Sequence, residues 1–166
     1  MDREGGDVRP TMSERNVIQT TFDEFGKASA GRKKSGSWYR RSEETVFVLN
    51  LQKSNYAARY YINVAVWLLA LGATDTPKEN KCQVRSRLTQ LVPDELESRV
   101  NELLDLDFPM EETARKSELL AVLDQHLQPL MDAGATIKGL RSATGQALIR
   151  KSLVTGPAQR LLAADK

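Results

Sequence analysis

One segment of alternating sequence constrains the fold of this chain more than any other feature. Residues 46–69 read VFVLNLQKSNYAARYYINVAVWLL, which is two apolar runs separated by a polar stretch. Apolar side chains at every second position are typical of strands that bury one face, and a short polar stretch between two such runs is typical of a turn. We therefore predict a β-hairpin whose turn lies at residues 55–58.

The length of this turn sets the register of the hairpin. If residues 55–58 form a four-residue connection, Ser54 opposes Arg59, and Asn50 then faces Asn63. Alternation sorts the side chains into two faces. One face is apolar along its whole length and is predicted to join the core. The other face changes from apolar to polar towards the turn, which places amides inside the most apolar segment of the chain.

Two further strands are predicted beside the hairpin. The segment SWYRRS, residues 37–42, is aromatic and short, and CQVRSRL, residues 82–88, alternates. If Cys82 and the other small or apolar residues of the second segment join the core, Arg85 and Arg87 lie on the same face as the amides. The segment ASAGRKKSGS, residues 28–37, is rich in Gly, Ser and cations and is predicted to be a loop.

Helical periodicity dominates the rest of the chain. A helix is predicted to start at the N-cap residue Ser13 and to stop at Gly26, and the C-terminal half shows apolar stripes that are broken near Pro129. We predict an α+β fold: an antiparallel sheet of about four strands in meander order, one helix before it, and several C-terminal helices packed on its apolar face. Residues 1–12 are predicted to be a mobile tail, and residues 13–166 a single domain.

Composition excludes several classes of protein. With one cysteine, Cys82, and one histidine, His126, the chain can form neither an internal disulfide nor a Cys/His zinc site. The 24 basic and 22 acidic residues give a net charge of +2, too small to indicate nucleic acid or an anionic membrane as a partner. The N-terminus lacks the apolar region of a signal peptide, and the longest nearly apolar run, residues 60–73, is too short to span a bilayer. We predict a cytoplasmic protein without a membrane partner.

Five segments, in their order along the chain, carry a family resemblance. They are GRKKSGSWYR, VLNLQKS, YYINVAVWL, CQVRSRLTQL and HLQPLMDAG. Over residues 25–153 the chain resembles a bacterial family, the domain of unknown function 4304. The resemblance implies an α+β domain with an antiparallel sheet, and it implies no catalytic residues.

The polar face of the sheet has two interpretations. In the first, the amides bond each other or a covering helix and fix the strand register, since an unpaired buried amide costs about 1–3 kcal/mol. In the second, amides and guanidinium groups line an open groove suited to carboxylate or phosphate. The candidate residues of this face are Asn50, Gln52, Tyr61, Asn63, Arg85 and Arg87.

A second candidate surface mixes cations with aromatic residues. Such a mixture can bind single-stranded nucleic acid through phosphate contacts and base stacking. It is also typical of an exposed sheet edge, where lysine discourages aggregation, and we favour that interpretation. The residues of this basic loop and strand are Arg32, Lys33, Lys34, Trp38 and Arg40.

The sequence offers little for catalysis. A Cys82–His126 dyad would require a thiol in the middle of a strand to meet a late helix, and the acidic residues cluster near helix N-termini, where the helix dipole favours them. We expect no catalytic residue, metal or cofactor.

The predicted function is a non-catalytic binding domain that recognises a protein or peptide partner through the polar face, in an accessory or toxin-neutralising role. One alternative is a small anionic ligand or an enzyme site in the same groove, and another is single-stranded nucleic acid bound by the basic loop.

Overall fold

The computed structural model describes residues 15–163 as helices packed against one six-stranded sheet. Each strand is antiparallel to its neighbours, and the strands lie in the sheet in the order in which they occur along the chain. This confirms the α+β class and the meander, but the predicted number of about four strands is wrong. The strands are β1 (Arg32–Lys34), β2 (Ser37–Arg41), β3 (Thr45–Lys53), β4 (Tyr60–Leu68), β5 (Val84–Arg87) and β6 (Leu153–Val154).

One helix precedes the sheet and the other helices follow β5, as predicted. The helices are α1 (Val17–Ser29), α2 (Leu88–Leu91), α3 (Glu97–Leu103), α4 (Glu112–Val122), α5 (Gln128–Ala133), α6 (Ile137–Arg141), α7 (Ala143–Arg150) and α8 (Gly156–Ala163). Short 3₁₀ turns lie at Leu69–Leu71, Glu79–Lys81 and Asp94–Leu96. The tail predicted for residues 1–12 lies outside the described residues, and the single domain over residues 13–166 stays a prediction.

The predicted register of the central hairpin is confirmed along the whole of β3 and β4. Asn50 pairs with Asn63, and Thr45 pairs with Leu68 at the far end of the two strands. At the turn, the Ser54 amide donates to the Arg59 carbonyl at 2.8 Å. Near the turn, Leu49, Ile62 and Val64 lie on one face and the amides lie on the other, so only one register buries the apolar face and the sequence determines it strongly.

The prediction of a loop over residues 28–37 is wrong. α1 continues to Ser29, and Arg32–Lys34 form the edge strand β1, paired with β2. Ser35 and Gly36 connect the two strands, with φ angles of 52° and 82°. A two-residue turn with positive φ at both positions matches the twist of a hairpin, and glycine adopts such angles without strain.

The N-terminus of α1 is capped by Asn16. Its Oδ1 accepts a hydrogen bond from the Gln19 amide at 2.9 Å, and Gln19 Oε1 accepts one from the Asn16 amide at 3.0 Å. Two N–H groups that would otherwise lack partners are thereby satisfied. The predicted N-cap residue, Ser13, lies outside the described residues, and α1 begins at Val17.

Gly26 does not stop α1, which corrects the second predicted boundary. The residue is buried inside the helix, and a Cβ added there would lie 2.4 Å from two ring atoms of Trp38. The glycine therefore allows the indole to approach the helix backbone.

The apolar face of the sheet and the helices form the main core. The widened π turn Leu123–Leu127 joins α4 to α5, and Leu123 and Leu127 are fully buried in this core. Pro129, in the first turn of α5, has no N–H to donate, and its ring would clash with the carbonyl four residues earlier in a regular α-helix. The predicted break near Pro129 is thus a widened turn.

Arg115 is a charged residue inside this core. Its side chain is 3% exposed, and its guanidinium donates hydrogen bonds of 2.7–2.9 Å to three backbone carbonyls. The acceptors are Glu102, Leu103 and Phe108, at and after the end of α3. Arg115 therefore ties α4 to α3 and satisfies carbonyls that a helix end leaves without partners.

A smaller apolar cluster lies on the second face of the sheet. It consists of Tyr39, Val46, Val48, Ala65 and Cys82, with Trp67 and Leu69 packed against it. The chain after β4 packs over this half of the face, where the turn Glu79–Lys81 contacts β3 and β4. The prediction that Cys82 faces the main core is wrong, because the residue precedes β5 and escapes its alternation.

Burial of Cys82 makes stability depend on pH. The residue is 2% exposed, and desolvation is the main cause that raises the pKa of its thiol from 9.0 to about 12. Between these values the unfolded chain loses a proton that the folded chain keeps, so stability falls as pH rises through this window and is unaffected below it.

We expect the free energy of unfolding of the wild type to fall more steeply with pH than that of Cys82→Ala, by up to about 1.4 kcal/mol per pH unit. Urea denaturation of both proteins across this window measures the two slopes. Equal slopes would show that the thiol is not desolvated.

None of the helices within residues 15–163 has the length and apolar character that a bilayer crossing requires.

Candidate functional site

A row of polar residues crosses the second face of the sheet, beside the apolar cluster. Ser37 on β2 pairs with Asn50 on β3, Asn50 with Asn63 on β4, and Asn63 with Arg87 on β5. Directly opposed residues of neighbouring strands point to the same side, so the register alone brings these four side chains together.

These side chains form a directed chain of hydrogen bonds. Arg87 Nε donates to Asn63 Oδ1 at 3.2 Å, Asn63 Nδ2 donates to Asn50 Oδ1 at 3.0 Å, and Asn50 Nδ2 donates to Ser37 Oγ at 3.0 Å. A guanidinium can only donate, so Arg87 sets the orientation of both amides. Bonds that point the same way along a chain polarise and strengthen one another.

Gln52 and Tyr61 complete the contacts of Arg87. Gln52 Oε1 accepts from Asn63 Nδ2 at 3.0 Å and lies 3.5 Å from Arg87 Nη2. The guanidinium carbon of Arg87 lies 4.2 Å from the centroid of the Tyr61 ring, a distance that gives a cation–π contact. The network therefore holds the charged group of an exposed arginine in one place.

Arg85 lies on the same face of the sheet, two residues before Arg87 on β5. It pairs with Ala65 on β4 and with Leu153 on β6. Its Nε is inaccessible to solvent and has no hydrogen-bond partner among the described residues, although the side chain is 40% exposed. The nearest carboxylate oxygen, Glu79 Oε2, is 3.9 Å from Nε, too far for a hydrogen bond. Arg85 thus carries a donor that the fold leaves unused.

An open groove of about 1020 Å³ lies over this part of the sheet. Gln52, Asn63, Arg85 and Arg87 line it from the strands. Its remaining lining comes from Ser86 on β5, from the turn at Glu79, from α2 and the chain that follows up to Glu97, and from residues 150–153. The groove therefore crosses the strands towards the β6 edge of the sheet.

The lining carries charges of both signs. Arg150 and Lys151 are cationic, and Asp94 and Glu97 are acidic. None of these four side chains forms an ion pair with another residue of the described range 15–163. The groove is thus polar and contains both cations and anions.

The structure places the six candidate residues of the polar face on one side of the sheet. The two interpretations of the amides coexist in it. Asn63 is 5% exposed and is satisfied by its neighbours, as the first interpretation requires, whereas Gln52 and Arg87 are exposed in the groove, as the second requires. Asn50 and Tyr61 support these residues and do not line the groove.

The second candidate surface, the basic loop and strand, is tied to helices. Lys33 Nζ lies 3.0 Å from Asp23 Oδ2 on α1, and Trp38 Nε1 donates to Asp23 Oδ1 at 2.8 Å. Desolvation, followed by the charge of Arg15, lowers the pKa of Lys33. Trp38 is 8% exposed, so a nucleic-acid base could stack on its ring only if the indole left the core.

The other cations of this surface divide between exposed and ion-paired side chains. Arg32 and Lys34 are exposed on β1. Arg40 Nη1 lies 2.8 Å from Asp132 Oδ1, and this hydrogen bond holds the pKa of the Asp132 carboxyl below its ordinary value. A sheet edge with solvated lysine and arginine side chains accounts for this arrangement.

Sequence reasoning missed one side of the groove. Asp94, Arg150 and Lys151 reach it from a turn and a helix end, where charged residues resemble any solvated surface, and Leu153 reaches it from the two-residue strand β6. No spacing in the sequence relates them to Arg87. Within residues 15–163, no group of three or more His, Cys, Asp or Glu side chains is placed to hold a metal ion.

Comparison with known proteins gives one match. The family model described as a domain of unknown function (DUF4304) matches residues 28–133, which is more than half of the chain. This range contains β1 to β5 and ends with α5, whereas residues 150–153 of the groove lie beyond it. We found no match among curated proteins or among solved structures. The chain belongs to the family of this domain of unknown function, DUF4304.

Proposed function

We propose that this chain is a non-catalytic binding domain that recognises a protein or peptide partner through the groove on its polar sheet face. One observation carries the proposal: the exposed guanidinium of Arg87, held by Asn63, Gln52 and Tyr61, lies in an open groove of about 1020 Å³. A group that is already ordered loses little entropy on binding, so it contributes more to affinity than a mobile side chain.

The open shape and the polar composition of the groove favour a peptide. Small-molecule sites bury most of the ligand and are mostly apolar. This groove is open and polar, and it extends to Leu153, whose side chain is 71% exposed. A second candidate, a small anionic ligand in the same groove, is favoured by one feature: the guanidinium of Arg85, whose side chain is 40% exposed, donates no hydrogen bond to another described residue.

We place the protein in a bacterial cytoplasm, in an accessory or toxin-neutralising role. The single cysteine supports a reducing compartment, because proteins of oxidising compartments use paired cysteines for stability. The family resemblance supports the bacterial setting.

Selection from a random peptide library on the immobilised chain tests the binding function. We expect selected peptides to bind the wild type and to lose affinity by roughly tenfold or more with Arg85→Glu, because a hot-spot charge is reversed. Fluorescence polarisation of labelled peptides measures this loss.

The matched control is Lys27→Glu, the same change of charge at an exposed position of α1 outside the groove. It is expected to leave affinity unchanged, and thermal unfolding checks that both variants are folded. The proposal is wrong if no peptide is selected, or if both variants bind the selected peptides equally well.

A further inference from the structure

The fold uses only one edge of the Arg87 guanidinium. Nε donates to Asn63, and Nη2 points to Gln52. Nη1 has no hydrogen-bond partner in the part of the chain that the structure describes. A planar guanidinium can therefore still present its Nη1–Nη2 edge, whose two parallel N–H groups match the two oxygens of a carboxylate.

Arg85 supplies a second unused donor beside this edge. It lies two residues before Arg87 on β5, so the two side chains leave the same face about 7 Å apart. Its side chain is 40% exposed, and within the described residues its guanidinium donates no hydrogen bond, because the nearest oxygen of Glu79 is 3.9 Å away. Two neighbouring donors with unused hydrogen-bonding capacity define an anion-binding position in the groove.

The remaining lining indicates which anion fits. The cations Arg85, Arg87, Arg150 and Lys151 are nearly balanced by Glu79, Asp94 and Glu97 around the same groove. This balance favours an occupant with few negative charges over a nucleic acid or a polyphosphate, which carry several. Leu153 offers an apolar contact next to Arg85, its neighbour across β5 and β6. An occupant with a single carboxylate, an apolar side chain and an otherwise mixed surface satisfies all of these groups, and a peptide has this composition.

We propose that the groove binds an acidic peptide segment whose carboxylate is held by the Nη1–Nη2 edge of Arg87, with Arg85 as the second donor and Asn63 as the positioning residue. This inference rests on the proposed function and names the chemistry of the partner. The carboxylate belongs either to an Asp or Glu side chain or to the C-terminus of the partner.

Three synthetic peptide libraries, each selected on the full chain, test the carboxylate. The first contains all residues, the second lacks Asp and Glu but keeps a free C-terminus, and the third lacks Asp and Glu and is amidated. We expect strong binders from the first, and from the second only if the recognised carboxylate is the chain end. The third is expected to give none.

If the third library gives binders as strong as those of the first, the proposed recognition of a carboxylate is wrong, but the peptide-binding function is still supported. Selection from none of the libraries would overturn both. If no peptide is selected, inorganic phosphate distinguishes the alternative. A rise in melting temperature with phosphate that is lost in Arg85→Ala and Arg87→Ala would then assign the groove to a small anion.

A double-mutant cycle tests the roles of Arg87 and Asn63 with a selected peptide. Arg87→Lys keeps the charge but not the paired N–H groups, and we expect it to weaken binding roughly tenfold, nearly as much as Arg87→Ala. Asn63→Ala is expected to weaken binding roughly threefold or more when Arg87 is present and to add nothing in the Arg87→Ala background. A loss from Asn63→Ala that is equal in both backgrounds would show that Asn63 only supports the fold, and full affinity of Arg87→Lys would exclude the two-point contact.

Discussion

Arg115→Met is expected to lower the free energy of unfolding by about 3 kcal/mol, because it removes a buried charged donor and leaves its acceptors without partners. The guanidinium donates to the carbonyls of Glu102, Leu103 and Phe108, and the side chain is 3% exposed, so water cannot replace it without opening the core. Methionine has a similar length and fills much of the space. The loss of unfolding free energy therefore measures mainly the missing hydrogen bonds, and only to a small extent the cost of a cavity.

Lys116→Met is the matched control on the same helix. Lys116 forms an ion pair with Glu24 at 2.9 Å, but both side chains are about half exposed, at 44% and 54%. Such a pair contributes at most about 1 kcal/mol. Urea denaturation of the three proteins compares the two losses, and equal losses would contradict the structural role of Arg115. Arg115→Lys is expected to recover only part of the stability, since one ammonium group cannot reach all three carbonyls in the same geometry.

Gly145→Ala is expected to cost about 3 kcal/mol, at the upper end of what overpacking in a core costs, or to prevent folding. A Cβ at this position would lie 2.1 Å from the carbonyl oxygen of Gly139 and 2.5 Å from the Cα of Leu140. Both atoms belong to the backbone of α6, so no side-chain rotation relieves the overlap. The cost therefore measures how closely α6 and α7 approach each other.

Gly156→Ala makes the same chemical change where there is space. The nearest atom to its added Cβ is Arg160 Nη1 at 3.4 Å, the end of a flexible side chain. We expect a change in unfolding free energy of less than about 1 kcal/mol, since alanine also has the higher helix propensity. Thermal and urea denaturation compare the two variants. If Gly145→Ala is as stable as Gly156→Ala, α6 and α7 do not pack as closely as described.

The sequence predicts the centre of the fold better than its margins. Near the turn, apolar and polar residues alternate along β3 and β4, and shifting β4 by one position would move Ile62 and Val64 from the core to the polar face. The polar row follows from this register, because Asn50 and Asn63 can lie opposite each other only if the pairing is correct. Period-two alternation therefore determines both the hairpin and the inner half of the candidate site.

The two edges of the sheet escape such reasoning for different reasons. β1 consists of three cations followed by Ser35 and Gly36, and this composition indicates a loop. The backbone angles of Ser35 and Gly36 nevertheless form a tight turn that pairs β1 with β2. β6 has two residues, too few to show any period, and it joins β5 only because the helices return the chain to that edge. Tertiary packing decides both strands.

Isolated polar residues are equally hard to predict. Arg115 lies within the helical stripe of α4 and has no sequence signal that distinguishes it from a solvated arginine. Residues 150–153 approach the groove through the same return of the chain that forms β6. Pairwise contacts between residues far apart in the sequence require the folded chain, which explains why only part of the groove could be predicted.

The pairing of β6 with β5 has a kinetic consequence. The strands from β1 to β5 are joined by local connections and can associate at small entropic cost, whereas the last pairing must close a loop that contains α2 to α7. We therefore expect the β6 side of the groove to be completed late in folding, after the polar row is in place. We expect a newly synthesised chain to complete the groove only after residues 150–154 have been made.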